Sequence, residues 1–178
     1  MSSENKIVYL MRGLPGCGKS NRARRLAGDA GVVVEADRYF YTEVGSDPQE
    51  YSYREELLPA CQEWSFEQFT RVIEQGISPV VVDRGNALHP ETRRYAVHAV
   101  EHGYAVEIAE PDSLWWQEIR VLLKYKKYVD DEIFDRWAQE LSRTTRNTQQ
   151  VDPAIIRMRV DHWRDNLQVQ DILDLDVD

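Results

Sequence analysis

Gly13, Gly16 and Gly18, followed directly by Lys19 and Ser20, meet the pattern G-x-x-x-x-G-K-[ST], whose chemistry is the cradling of phosphate. Glycines let backbone amides turn toward a phosphate, and the helix N-terminus behind them adds partial positive charge. The lysine reaches the outer phosphates, and the serine hydroxyl offers Mg²⁺ a hard oxygen. The expected ATP contacts are therefore Gly13, Pro15, Gly16, Cys17, Gly18, Lys19, Ser20 and Asn21. Two acids extend the set. Asp83 closes the apolar run Pro79-Val80-Val81-Val82, where a carboxylate can hold the Mg²⁺ shell beside Ser20. Asp37 follows Val32–Glu35, at the strand end that faces the acceptor in mononucleotide-type folds. There it can take the proton of an attacking hydroxyl and aim the oxygen at the γ-phosphate. For either acid the alternative is an aspartate that only caps a turn.

These residues need elements to position them. Lys6–Met11 is apolar and breaks at the glycine-rich stretch, which predicts a buried parallel strand ending in a loop. Ala23, Leu26 and Ala27 recur at helical spacing before Gly28, and Val32–Glu35 is a second strand. Phe40 to Ser52 has no sustained period and reads as a loop. Leu58, Cys61, Phe69, Val72 and Ile73 form the stripe of a long helix stopped by Gly76. Strand Pro79–Asp83 comes next, then a helix from Pro90 to Gly103 with Ala96, Ala99 and Val100 facing inward. Tyr104–Ile108 is the fourth strand.

Strand and helix alternate without a hairpin signal, so the fold class is α/β. The expected form is a P-loop NTPase-type parallel sheet of about four strands in the order 2-3-1-4, with helices on both faces. A helical lid at about 113–150 contains helices Trp115–Tyr128 and Asp131–Thr144. Asp152-Pro153 opens a last helix carrying Ile156, Val160, Trp163 and Leu167. The acidic tail 171–178 has four aspartates in eight residues and is expected to fray. Trp64, Trp115, Trp116, Trp137 and Trp163 all read as helix core residues.

The 178 residues fit a single domain, 1–178, and 42% hydrophobic with 30% charged residues is the composition of a globule rather than a disordered chain. The formal charge of −9 argues against sequence-blind binding to duplex nucleic acid but leaves room for a local basic groove. No apolar stretch approaches the ~18 residues of a membrane span and none resembles an export signal, so a cytoplasmic protein is expected. Cys17 and Cys61 lack metal-type or redox-type spacing, and His98 with His102 lack a third ligand.

With GLPGCGKS, GVVVEAD, PACQEW, GISPVVVDRGNALHP and RNTQQVDPAIIRM in this order, the chain resembles the polynucleotide-kinase-like P-loop kinases, particularly the branch found in ubiquitin-ligase-binding proteins and bacterial and phage homologues. The resemblance runs from about Ile7 to about Trp163. It implies that Lys19 and Ser20 serve ATP and Mg²⁺, and that Asp37 stands at the place of the catalytic carboxylate. It also implies a lid arginine that clamps phosphates, for which the sequence offers Arg143 and Arg146, with Arg146 favoured because it directly precedes Asn147-Thr148.

Several positions depart from the family. Cys17 replaces a common serine, Arg38 a second acid, and Phe40 an acceptor-binding arginine of the phage-type enzymes. Arg84-Gly85-Asn86 replaces Asn-Thr-Asn, so that only Asn86 carries over, and Trp116–Glu140 is longer than usual. That stretch interleaves Lys124, Lys126 and Lys127 with Tyr125 and Tyr128. Seven basic against six acidic side chains between Glu118 and Arg146 favour helix packing there over nucleic-acid contact.

The function expected from these residues is ATP/Mg²⁺-dependent phosphoryl transfer to a hydroxyl, with the 5′-OH of a nucleic-acid end as the leading acceptor. Lys19, Asp37, Arg146 and Arg143 would be its catalytic residues, and Ser20 and Asp83 its metal residues. A nucleoside or sugar kinase and a non-catalytic ATP-binding interaction module are the alternatives.

Overall fold

A computed structural model describes residues 5–42, 54–145 and 151–177. Strand β1 (Ile7–Met11) leads through the glycine loop into helix α1 (Lys19–Ala27), and β2 (Val32–Glu35) is followed by the short helix α2 (Arg38–Thr42). After a 3₁₀ turn at Glu55–Leu57 come α3 (Leu58–Glu74), β3 (Val80–Asp83), α4 (Pro90–Glu101) and β4 (Ala105–Ala109). The chain closes with α5 (Leu114–Lys124), α6 (Asp131–Thr144), α7 (Pro153–Asp161) and α8 (Val169–Leu173). The four strands are parallel in the order β2-β3-β1-β4. This is the α/β sheet of a P-loop NTPase, in the strand order expected.

Side chains alternate across the sheet as the two-residue period of strands requires. Val8, Leu10, Val80 and Val82 point to one face and pack with Phe69, Ile73, Tyr95, Ala96 and Ala99 of α3 and α4. Met11 and Val81 point to the other face, where Ala23 and Ala27 of α1 cover them. Registry then sets the site. β2 pairs with β3 so that Glu35 lies opposite Asp83, and β1 pairs with β3 so that Leu10 lies opposite Val82. The loop after β1, Asp37 after β2 and Asp83 on β3 therefore emerge from one carboxyl edge. The glycine stops at Gly76 and Gly103 have φ of +71° and +78°, which explains why helices end there.

Helices α5–α7 form a separate core. Trp116, Ile119, Leu123, Phe134, Ala138, Leu141, Ile156 and Val160 pack together, and Leu14 and Cys17 of the glycine loop are part of the same cluster. Lys126, one of the three clustered lysines, donates to the carbonyls of Val160 (3.2 Å), Asp161 (2.7 Å) and Trp163 (2.9 Å), where it caps the end of α7.

Several expectations are corrected. Phe40 belongs not to a loop but to α2, with its ring 1% exposed; residues 43–52 of that stretch lie outside the described residues. Val100 faces outward on α4 at 48% exposure, and Trp115 is half-exposed rather than core. The last helix ends at Asp161, short of Trp163 and Leu167. The acidic tail folds through Leu173. Gln168 and Asp171 form a reciprocal capping box, and Ile172 is fully buried on the sheet. An apolar Ile-Leu pair inside the acidic run is enough to outweigh the charge. Among the described residues no helix is long and apolar enough to cross a membrane.

Candidate functional site

The glycine loop takes its shape from two left-handed residues. Gly16 and Gly18 have φ of +77° and +88°, values that an L side chain rarely adopts. A Cβ on Gly16 would also lie 2.2 Å from Thr144 Oγ1 and 2.8 Å from the Leu141 carbonyl oxygen, so the end of α6 rests directly on the loop. Trp115 Nε1 donates to the Gly16 carbonyl (3.1 Å) and Ser113 Oγ to the Cys17 carbonyl (2.9 Å). The Cys17 amide bonds the Leu14 carbonyl. Among the described residues nothing accepts from the amides of Gly16, Gly18, Lys19 or Ser20. Four unpaired donors at the start of a helix, in a loop held open by glycine, suit a polyphosphate.

Lys19 Nζ donates to the carbonyls of Gly13 (3.1 Å) and Leu14 (2.9 Å), folding the ammonium back over its own loop. Burial lowers its pKa, opposed by Asp83 and Asp37 among its neighbours. Asp37 is the complementary group. Burial raises its pKa and the like charge of Asp83 raises it further, while Lys19 and Arg84 pull it down. Glu35 is raised for the same two reasons, burial and then Asp83. Lys19 and Asp37 thus lie close enough to act on each other's ionisation, and Asp83 acts on both. A buried cation and a buried carboxylate perturbed by each other make this edge the candidate site.

Asn86 fixes the frame. Its Nδ2 donates to the carbonyls of Met11 (2.8 Å) and Val82 (3.2 Å), which ties the ends of β1 and β3 together just before the loop and just before Asp83. Arg12, at the loop's entrance, stacks on the Trp163 ring at 3.7 Å and donates to the Arg164 carbonyl. Its burial lowers its pKa to about 10. Cys17 is an apolar anchor rather than a reactive thiol, since burial pushes its pKa up to about 12.

The residues suit an Mg²⁺–nucleotide. Ser20 opens α1 beside the loop and Asp83 ends β3, both offering the hard oxygen that Mg²⁺ requires. Among the described residues no cluster of three or more His, Cys, Asp or Glu side chains is arranged to hold a metal on its own. On the β4 side of the loop a cavity of about 510 Å³ is lined by Gly18, Asn21, Arg24, Asp112, Ser113 and Trp115. Its size and the Trp115 ring suit a nucleoside.

The two lid arginines are not both visible. Arg143 ion-pairs with Glu140 on the exposed face of α6, and Arg146 lies outside the described residues. Thr144 and Leu141, not an arginine, make the contact between α6 and the loop. Sequence reasoning passed over Trp115, Thr144 and Arg159 as site residues, and treated Arg84 only as a departure. Each is brought in by tertiary packing, with no motif to announce it.

Fold and site together define a P-loop nucleotide-binding domain of kinase-like type. The family described as "AAA domain" matches residues 8–121, well over half of the chain, and the chain belongs to that family. The match takes in the glycine loop, Asp37 and Asp83 and stops within α5, so α6–α8 lie beyond it. Among curated proteins the chain is similar to NEDD4-binding protein 2 of Homo sapiens, 34% identical over 113 residues, which is 62% of this chain and 6% of that protein. It is also similar to YLP motif-containing protein 1 of Homo sapiens, 29% identical over 130 residues, 61% of this chain and 6% of that protein. The chain thus corresponds to a small part of either relative.

Proposed function

We propose that the chain is an ATP- and Mg²⁺-dependent kinase that transfers the γ-phosphoryl group to a hydroxyl, in the manner of polynucleotide 5′-hydroxyl kinases. The observation that carries this reading is that Lys19 and Asp37, one buried cation and one buried carboxylate, sit in each other's field and in that of Asp83 at one sheet edge. A loop that only bound nucleotide would need the glycines, Lys19 and Ser20. It would not need a buried carboxylate one strand away, held in the field of the lysine and of a second acid.

In this reading the free amides of the loop and Lys19 hold the β- and γ-phosphates, and the cavity beside Trp115 takes the base. Ser20 and Asp83 would hold Mg²⁺, which would supply charge neutralisation to the phosphates. Asp37 accepts the proton of the acceptor hydroxyl as its oxygen bonds to the γ-phosphorus and the bond to the ADP oxygen breaks. Its raised pKa makes it a better proton acceptor than a surface aspartate. Lys19 offsets the charge that builds on the transferred group. Helices α5–α7 act as the lid, with Arg146 or Arg143 supplying a further cation on closure.

The test is equilibrium binding of an ATP analogue together with transfer of label from γ-labelled ATP to a panel of 5′-OH oligonucleotides, nucleosides and sugars. Lys19→Ala is expected to weaken analogue binding and to abolish transfer. Tight analogue binding without transfer to any acceptor would favour the ATP-binding module instead.

A further inference from the structure

Asp37 has to be aimed, and its own side chain has no anchor. Among the described residues no group donates a hydrogen bond to its carboxylate. The carboxylate is therefore placed by the backbone turn that carries it, between the end of β2 and α2. In that turn the Tyr39 amide donates to the Ala36 carbonyl and the Phe40 amide to the Asp37 carbonyl, both at 3.1 Å. Two residues of α3 hold the turn from outside. Cys61 Sγ donates to the Ala36 carbonyl at 3.2 Å, and the Trp64 ring packs on Tyr39 with centroids 5.8 Å apart. Three apart in sequence, Cys61 and Trp64 share one face of the helix and so grip the residue before Asp37 and the second residue after it. Further along the same helix, Phe69 and Ile73 are buried against the sheet that bears Asp83.

We propose that Cys61 and Trp64 are positioning residues for the transfer: through them α3 fixes the turn that presents Asp37 to the acceptor hydroxyl. This rests on the kinase reading above. Both residues act through Asp37, and small displacements of that carboxylate matter, because misplacing a reacting group by about 1 Å can cost about 10²-fold in rate. Cys61 suits the task by being inert. It is 2% exposed, and burial, with the Asp37 charge second, pushes its pKa up to about 11, so the thiol keeps its proton and remains a donor. The Asp37 charge acts on Cys61 ahead of that of Arg84, which makes thiol and carboxylate neighbours. A thiol also leaves the carboxylate alone. It is a weak donor already engaged by the Ala36 carbonyl, so it adds no hydrogen bond that would stabilise the charged form, and Asp37 keeps the basicity the reaction uses.

The experiment uses the full chain as wild type, Cys61→Ala, Cys61→Ser, Trp64→Leu and Glu67→Ala, with two readouts. The first is hydrogen exchange at the amides of Tyr39 and Phe40, with those of Val81 and Val82 in the sheet as the reference. Cys61→Ala and Trp64→Leu should speed exchange at the turn by about tenfold or more while leaving the sheet amides unchanged. Cys61→Ser, which keeps a donor, should stay near wild type, as should Glu67→Ala on the exposed face of α3. The second readout is single-turnover transfer of label from γ-labelled ATP to a 5′-OH oligonucleotide, with ATP-analogue affinity alongside. Cys61→Ala should slow transfer by about tenfold at unchanged affinity, and Cys61→Ser should restore most of the rate. In the Asp37→Asn background Cys61→Ala should slow the residual transfer no further, because its effect passes through the carboxylate. Unchanged exchange at the turn in Cys61→Ala and Trp64→Leu would overturn the proposal. So would exchange that rises equally in the sheet, a loss of transfer matched by a loss of ATP affinity, or the same slowing with and without Asp37, each of which would make the two residues merely structural. Faster exchange at the turn in a protein that transfers to no acceptor would sink the kinase reading while leaving the anchoring of the turn by α3 standing.

Discussion

At the scale of single residues, the site concentrates charge that does not favour folding. Asp37 has a pKa raised by burial and by Asp83, so the native state binds its proton more tightly than the unfolded chain does. Stability therefore falls as pH rises from the ordinary carboxylate range, near pH 4, through the raised value. Asp37→Asn should raise the Tm of the ligand-free protein at pH 7. The gain should shrink toward zero below pH ~4, where the aspartate is protonated in both states. Thermal melts at the two pH values check this, and a gain independent of pH would contradict it. The glycines, Lys19, Ser20, Asp37 and Asp83 could all be picked out from the sequence because their types and spacing are dictated by phosphate chemistry. Arg159 could not, since nothing near it in sequence separates it from Arg157; only the fold decides that Arg157 meets three carboxylates and Arg159 meets Gly85.

At the scale of elements, the phosphate loop belongs to two structures at once. Its ends are held by β1 and α1, but Leu14 and Cys17 are buried in the core of α5–α7, and Thr144 rests on Gly16. The loop and these helices should therefore respond together. Replacing Cys17 with serine, the residue common in related kinases, leaves the backbone cradle unchanged but puts a hydroxyl among Trp116, Phe134 and Ile156. It should cost about 1–3 kcal/mol in urea unfolding while changing ATP-analogue affinity by less than about threefold. A large affinity loss without a stability loss would mean that position 17 acts on the nucleotide directly. Strands, helices and their stops were legible because apolar runs, Pro90, Asp152-Pro153, Gly76 and Gly103 are strong local signals. The merging of loop and helical core was not, because an apolar residue inside a glycine motif has no period that says which surface it will meet.

For the whole molecule, the sheet is completed by the end of the described chain. Ile172 and Leu167 pack on the face already covered by α3 and α4, and Arg93 Nε reaches the Leu173 carbonyl at 3.1 Å. Ile172→Ala should therefore destabilise by about 2–5 kcal/mol, the usual range for such a truncation in a core. A change below ~1 kcal/mol in urea unfolding would show that the tail is dispensable. Net charge misled here: four aspartates in eight residues read as a solvated tail, yet a helix needs only one buried stripe to dock. The same correction applies to the charge of −9, which describes the surface and the tail better than it describes the cleft where Lys19, Arg84 and Arg159 gather. The central claim is that this cleft moves a phosphoryl group with Asp37 as the proton acceptor. The most direct measurement is the single-turnover rate of label transfer from γ-labelled ATP to a 5′-OH acceptor by wild type and Asp37→Asn, with ATP affinity measured alongside. Transfer by wild type that falls by about 10²–10⁴-fold in Asp37→Asn at unchanged ATP affinity is the predicted result. Equal rates for the two proteins would contradict the account.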